Sequence, residues 1–144
     1  MTDSEIIQEA LRLVNEGYGV TMPVKGRSML PFIVGGRDSV LLERPTVPEK
    51  GQVVLALLPD SRYVVHRIVN VGDGCITLMG DGNLSCREVC GFDGVKALVT
   101  HIVHSDGSKC RLYSRRMVMA AQLWRWLLPL RRYLLYVYVK VNRL

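Results

Sequence analysis

The chain has 144 residues, of which 49% are hydrophobic and 22% are charged. This length and composition are typical of a single-domain globular protein, and they exclude a disordered chain and a collagen-like repeat. With only four cysteines, the sequence also excludes a disulfide miniprotein. The formal net charge of +6 is unevenly distributed, because residues 111–144 contain eight Lys and Arg side chains and no acid, whereas residues 1–110 are nearly neutral.

The first predicted element is an amphipathic helix over residues 3–16, in which apolar side chains recur at helical spacing. Thr2 and Glu5 have the spacing of a capping box, and Gly17 is expected to end the helix. Asp3 and Glu5 lie where a secretory signal peptide has a positively charged and then an apolar stretch. The N-terminus is therefore expected to stay in the cytoplasm.

Six short strand-like segments follow, separated by turns that contain Gly, Pro and Asp. They cover residues 20–25, 39–43, 52–58, 62–70, 75–79 and 95–104. Short strands at this spacing predict a mainly β fold, a small coiled antiparallel barrel-like structure, with one helix before it and one after it.

The segment 117–139 is nearly all apolar or aromatic, and it predicts a basic amphipathic helix with a kink at Pro129. Arg125, Arg131 and Arg132 each cost about 2.5 to 3.5 kcal/mol at the centre of a bilayer, which argues against a membrane span. A helix rich in cations, Trp and Tyr suits an anionic membrane surface. The alternative is a helix packed on the β-structure or on a second subunit. The chain is accordingly divided into a domain of residues 1–110 and a tail of residues 111–144.

Ser28 lies in a turn of residues 26–31 that follows the first predicted strand. A serine hydroxyl is a weak nucleophile. It needs a base to accept its proton and N–H donors to stabilise the oxyanion that forms when it attacks a carbonyl. Considered alone, Ser28 is most simply a turn or capping residue.

Two further residues have side chains that a hydrolytic site needs. His66 shares a strand face with Val64 and Ile68, where it is either a general base or a core histidine with a structural partner. Asp81 lies in the turn of residues 80–83, where it either orients an imidazole or only shapes the turn. The order of serine, histidine and acid along the chain favours a catalytic site.

Four motifs surround these positions: Gly26-Arg27-Ser28-Met29-Leu30-Pro31, Lys50-Gly51-Gln52-Val53-Val54, Val65-His66-Arg67-Ile68-Val69 and Gly80-Asp81-Gly82-Asn83. In order and spacing they resemble the S24/S26 group of serine peptidases, which contains signal peptidases and self-cleaving repressors of the SOS response. The dipeptide His66-Arg67 is similar to the branch with a histidine base, as in signal peptidases of the endoplasmic-reticulum type. The resemblance covers about residues 18–104.

The resemblance implies that Ser28 is the nucleophile, His66 the general base and Asp81 the orienting acid of a serine endopeptidase. It also implies that the substrate contacts three residues of the first turn: Gly26, Met29 and Pro31. Members of the histidine type usually carry further acids just after the Gly-Asp turn. This chain has Ser85, Cys86 and Arg87 there, which makes Asp81 the sole candidate for orienting the imidazole.

The oxyanion hole implied by the resemblance also differs from that of many signal peptidases. Gly26 stands where those enzymes have a serine whose hydroxyl helps to hold the oxyanion. Here the hole would consist of the Ser28 backbone N–H and neighbouring amides.

The sequence thus predicts a serine-type hydrolase that cleaves a leader or signal-type peptide bound in an extended conformation. It is expected at the inner face of the membrane, as a peripheral cytoplasmic protein. No cofactor or metal is expected, because Cys86 and Cys90 lack a matching second pair. The alternative is a non-catalytic peptide-binding module of the same fold, recruited to the membrane surface. Nucleic acid is not expected as a partner, because Leu and Trp fill the tail between its charges.

Overall fold

The computed structural model describes residues 3–143, so Thr2 of the predicted capping box lies outside the described residues. Helix α1 covers Asp3–Asn15. It ends where predicted, with Gly17 at a φ of 97°, a left-handed conformation that glycine adopts without strain. Eight strands follow: β1 (Val20–Pro23), β2 (Ser39–Glu43), β3 (Val53–Leu57), β4 (Tyr63–Val71), β5 (Ile76–Met79), β6 (Glu88–Cys90), β7 (Val95–Val103) and β8 (Lys109–Arg111).

The strands form one antiparallel sheet in the order β1-β2-β7-β3-β4-β5-β6, with β8 also paired to β7. This confirms the mainly β fold with helices before and after it. Within residues 3–143 no strand pairing joins β1 to β6, so the sheet is open and the predicted barrel-like closure is not confirmed.

The centre of the sheet is buried on both faces. Along β3, Val53 and Leu55 belong to one apolar cluster, whereas Val54 and Ala56 belong to another. Successive strand residues point to opposite faces, so two-sided burial explains why β3 is a continuous apolar run. Helix α1 covers the first cluster through Val14, and Ile7 and Leu11 pack against it.

The C-terminal segment forms two helices where the sequence predicted one kinked helix. Helix α2 covers Arg115–Trp126 and helix α3 covers Arg131–Asn142, and the 3₁₀ turn Leu128–Leu130 between them contains Pro129. Ser114 caps α2, because its hydroxyl accepts a hydrogen bond from the N–H of Met117. Among the described residues, none of the helices has the length and apolarity that crossing a bilayer requires.

Candidate active site

Ser28 lies in the turn that leaves the edge strand β1. The turn is closed by hydrogen bonds from Leu30 N–H to the Arg27 carbonyl (3.2 Å) and from Ile33 N–H to the Met29 carbonyl (3.0 Å). Met29 is buried beneath the turn, whereas Ser28 is half-buried. The N–H of Ser28 has no hydrogen-bond acceptor among residues 3–143, so it is available to an oxyanion.

The turn of residues 80–83 packs directly against the backbone of the serine turn. The N–H of Gly82 donates a 2.7 Å hydrogen bond to the Ser28 carbonyl. A Cβ atom at Gly80 would overlap the Ser28 carbonyl oxygen, and one at Gly82 would overlap the Arg27 carbonyl oxygen. Both glycines are therefore required by the close approach of two backbones, and this approach fixes the position of Ser28.

His66 and Ser28 line the same groove, which has a volume of about 570 Å³. His66 lies on β4, where it pairs with Val54 of β3, and it is 5% exposed. The walls of the groove come from α1, from β1 and the segment after it, from β3 and from the first half of β4. Their apolar residues include Ile6, Ile7, Met22, Val24, Leu55, Tyr63 and Val65. No hydrogen bond joins Ser28 to His66 within the described part of the chain. Catalytic hydrogen bonds are often long before substrate binds and tighten in the complex.

The carboxylate next to the imidazole belongs to Glu88, the first residue of β6. Its Oε1 lies 3.4 Å from His66 Nδ1, and its Oε2 accepts a 3.1 Å hydrogen bond from Arg62. The Nδ1 atom is buried and makes no hydrogen bond within residues 3–143. The two groups are therefore within ion-pair distance, but their geometry is not that of a hydrogen bond.

Burial lowers the pKa of His66, and the negative charge of Glu88 opposes this shift without reversing it. His66 is therefore neutral near pH 7 and able to accept a proton. The neutral form of the imidazole is the protonation state that a general base requires.

Asp81 is placed differently from the sequence expectation, because its carboxylate is bound by a guanidinium. Arg67 Nε and Nη2 donate to the two oxygens of Asp81 at 2.8 Å each, and Arg67 Nη1 donates to the Gly51 carbonyl at 2.9 Å. Both side chains are buried. This bidentate pair anchors the turn of residues 80–83 on β4. Asp81 thus interacts with His66 only electrostatically and at longer range, whereas Glu88 lies beside the imidazole ring.

The three residues expected to contact substrate lie outside the groove walls. Gly26 has a φ of 82°. Its backbone packs so closely on Gly35 that a Cβ atom at Gly35 would overlap the Gly26 carbonyl oxygen. Met29 Sδ accepts a 3.5 Å hydrogen bond from the Asp81 N–H in the core. Pro31, the last residue of the turn, is half-buried. In the structure these residues shape the serine turn, and their predicted contact with substrate stays a prediction.

The C-terminal helices hold the other side of the Asp81 turn. Trp124 of α2 donates a 2.7 Å hydrogen bond from Nε1 to the Asp81 carbonyl. Arg131 of α3 donates to the Asn83 carbonyl at 2.9 Å and stacks over Trp124 with its guanidinium 5.2 Å from the ring centre. The sequence placed Trp124 and Arg131 on the surface of a tail, but both are buried.

Glu88 is the site residue that the sequence prediction missed. It is the first acid after the Gly-Asp turn, one residue beyond the positions where the resemblance leads one to expect acids. That position was the only available signal, because the three-residue strand β6 has too little periodicity to reveal which way Glu88 points.

The arrangement therefore provides a half-buried hydroxyl, a neutral imidazole in the same groove and a carboxylate beside that imidazole. It also provides a backbone N–H free to donate. No protein-family model matches the chain, and no curated protein sequence matches it.

Proposed function

We propose that this protein is a serine endopeptidase that uses Ser28 as nucleophile and His66 as general base, with Glu88 positioning the imidazole. The observation that supports this most directly is the shared groove, which is lined by a half-buried serine and by a buried neutral histidine. The resemblance to the histidine branch of the signal peptidases points to the same two residues.

The chemistry follows that of an acyl-transfer enzyme. Ser28 Oγ attacks the carbonyl carbon of the peptide bond while His66 accepts the hydroxyl proton. The carbonyl electron pair moves to the oxygen, which the Ser28 N–H stabilises. His66 then returns the proton to the leaving amine, and water hydrolyses the acyl-enzyme in a second cycle. The charge of Glu88 stabilises the imidazolium that forms between these steps.

The substrate that fits the groove is an extended peptide. Strand β1 is an edge of the sheet, and residues 63–66 of β4 pair with β3 on one side while β5 begins to pair only at Arg67. Two strand edges that have no partner within residues 3–143 therefore line the groove, and each can hydrogen-bond an added strand. We propose a leader-type peptide of a cytoplasmic precursor as the substrate, with small side chains near the cleaved bond as the resemblance implies.

The pH dependence of cleavage tests the role of His66. Only neutral imidazole accepts the serine proton, so kcat/KM is expected to rise with pH through the His66 pKa and then level off. Burial lowers that pKa, so the midpoint is expected below about 6.5, with the plateau reached by pH 7. Replacing Glu88 by Gln removes a charge that raises the pKa, so the midpoint is expected to move to lower pH.

The Glu88→Gln variant is also expected to lower the plateau rate by at least about tenfold, because the imidazolium loses its carboxylate. Glu49→Gln is the matched control, since Glu49 is an exposed acid outside the groove walls. A midpoint that is the same in wild type and Glu88→Gln would remove Glu88 from the mechanism. A flat profile between about pH 5 and 8 would remove the histidine base.

The C-terminal helices support a position at a membrane surface. The two helices expose several large apolar residues, here called the apolar face, and Trp126 is 86% exposed. The other members of this apolar face are Met119, Leu123, Leu130, Tyr133, Val137 and Val141. Arg115, Arg116, Arg132 and Lys140 are exposed on the same two helices, and the segment has no acid to offset them. We propose that this apolar face lies in the headgroup region of an anionic inner leaflet, as expected for the whole tail from the sequence.

Replacing Trp126 by Ala tests this orientation. The indole transfers from water into the interface on binding, so its loss is expected to weaken partition to anionic vesicles by about tenfold or more. Tyr18→Ala is the control, because Tyr18 is an exposed aromatic residue outside the C-terminal helices. Co-sedimentation with vesicles measures both variants. Equal partition of wild type and Trp126→Ala would contradict the proposed orientation.

A further inference from the structure

A second cleft, of about 560 Å³, lies between the Asp81 turn and the C-terminal helices. Four cationic side chains line it: Lys50, Arg87, Arg125 and Arg131. Asp81 is the one acid among the lining residues, and its carboxylate already has two hydrogen bonds from Arg67. The cleft therefore has an excess of positive charge.

Two guanidinium groups in this cleft are incompletely paired. Arg131 is 2% exposed, and its Nε atom has no hydrogen-bond partner among residues 3–143. Its other two nitrogens donate to the carbonyls of Asn83 and Trp124, which are uncharged acceptors. The Nη1 atom of Arg125 is also buried without a partner in the described part of the chain.

A buried cation whose nearest counter-charge is already paired with another guanidinium is unfavourable, and the neighbouring cations increase the cost. Burial lowers the pKa of Arg131, the negative charge of Asp81 opposes this shift, and the charges of Arg67 and Arg87 lower the pKa further. An anion bound between Arg125 and Arg131 would satisfy the free donors and balance the charge.

We propose that this basic cleft binds the phosphate group of an anionic phospholipid. Guanidinium groups hold phosphate oxygens with paired N–H donors, which suits Arg125 and Arg131. Trp126 and Leu128 line the same cleft, and Trp126 also belongs to the apolar face described above. A headgroup in the cleft thus places its acyl chains beside the apolar face. The proposal shares the membrane orientation of the proposed function and does not depend on peptide cleavage.

The test compares two charge-loss variants of α2 in the full-length protein. Arg125→Gln removes a cleft donor, whereas Arg116→Gln removes an exposed charge outside the cleft lining. With vesicles of phosphatidylglycerol and phosphatidylcholine, Arg116→Gln is expected to weaken binding by about fivefold through general attraction alone. Arg125→Gln is expected to weaken it by about 20-fold or more, because it also loses a charged hydrogen bond. Arg87→Gln provides a second cleft variant that leaves both C-terminal helices unchanged.

A second experiment with soluble ligands distinguishes a lipid headgroup from a free phosphate compound. The melting temperature of the protein is measured in glycerol phosphate and in inorganic phosphate. Suppose that these ions stabilise the wild type, but Arg125→Gln loses no more vesicle binding than Arg116→Gln does. That result would assign the cleft to a soluble phosphate and overturn the lipid proposal. Equal losses in Arg116→Gln and Arg125→Gln, with no thermal shift, would overturn the phosphate site itself. Vesicle binding that Trp126→Ala weakens but that Arg125→Gln and Arg87→Gln both retain would overturn the phosphate site while leaving the membrane orientation intact.

Discussion

Replacing Ser28 by Ala is expected to reduce peptide cleavage by at least about 10³-fold, because removal of a nucleophile leaves only binding and oxyanion stabilisation. The fold is expected to persist, since the Ser28 backbone groups make the contacts with the turn of residues 80–83. A fluorophosphonate probe provides a measurement that needs no known substrate, because it forms a covalent bond with an activated serine. The intact mass of the wild type is expected to increase by one adduct, which peptide mapping places on Ser28.

Two variants complete this experiment. Ser4→Ala is the matched control, because Ser4 also lines the groove but lies on α1, and its adduct yield is expected to equal that of the wild type. His66→Ala is expected to lose labelling almost as fully as Ser28→Ala, because the hydroxyl loses its base. A folded wild type that neither labels nor cleaves any peptide of a library would favour the non-catalytic peptide-binding module. Undiminished labelling of Ser28→Ala would place the reactive group elsewhere.

Replacing Asp81 by Asn is expected to reduce the free energy of unfolding by about 3 to 5 kcal/mol. The amide leaves the buried guanidinium of Arg67 without its counter-charge, and breaking a buried pair on one side has costs of this size. For a chain of this length the melting temperature is expected to fall by roughly 10 °C or more. Denaturant titration and calorimetry measure the two quantities directly.

Asp73→Asn is the control for this prediction, because Asp73 is an exposed turn acid and its replacement is expected to change stability by less than about 0.5 kcal/mol. The contrast with Glu88→Gln separates anchoring from catalysis. Glu88→Gln is expected to change the rate far more than the stability, and Asp81→Asn the reverse. An Asp81→Asn protein as stable as the wild type but catalytically inactive would return the orienting role to Asp81.

The local elements of the fold follow well from the sequence. Helix α1 and the six longer strands lie within two residues of their predicted bounds, because alternation of apolar residues and the intervening turns are local signals. Strands β6 and β8 were not predicted. Each has three residues and forms only through pairing with β5 and β7, respectively. Closure of the sheet depends on which strands pair at its ends, which no local pattern encodes.

The candidate site was predictable to the extent that its residues lie in local motifs. Ser28 and His66 stand in such motifs, and the structure brings them to one groove. The partner of His66 depends on long-range pairing, because Arg67 captures Asp81 across 14 residues and β6 brings Glu88 to the ring. Trp124 has the helical spacing of an interfacial residue. Trp124 is buried because it forms a hydrogen bond to the Asp81 carbonyl and contacts Arg131. A helical wheel shows only which residues share a helix face, so it cannot predict these tertiary contacts.

The hydrogen bond between Trp124 and the Asp81 carbonyl has a consequence for the order of folding. It joins residues 43 apart, and Asp81 in turn contacts Met29 at a separation of 52 residues. Contacts of such separation form late, because the intervening chain must first lose its freedom. During synthesis α2 leaves the ribosome after all eight strands, so the sheet is able to fold before Trp124 reaches Asp81. We therefore expect the serine turn to reach its final position only after α2 has packed against the turn of residues 80–83.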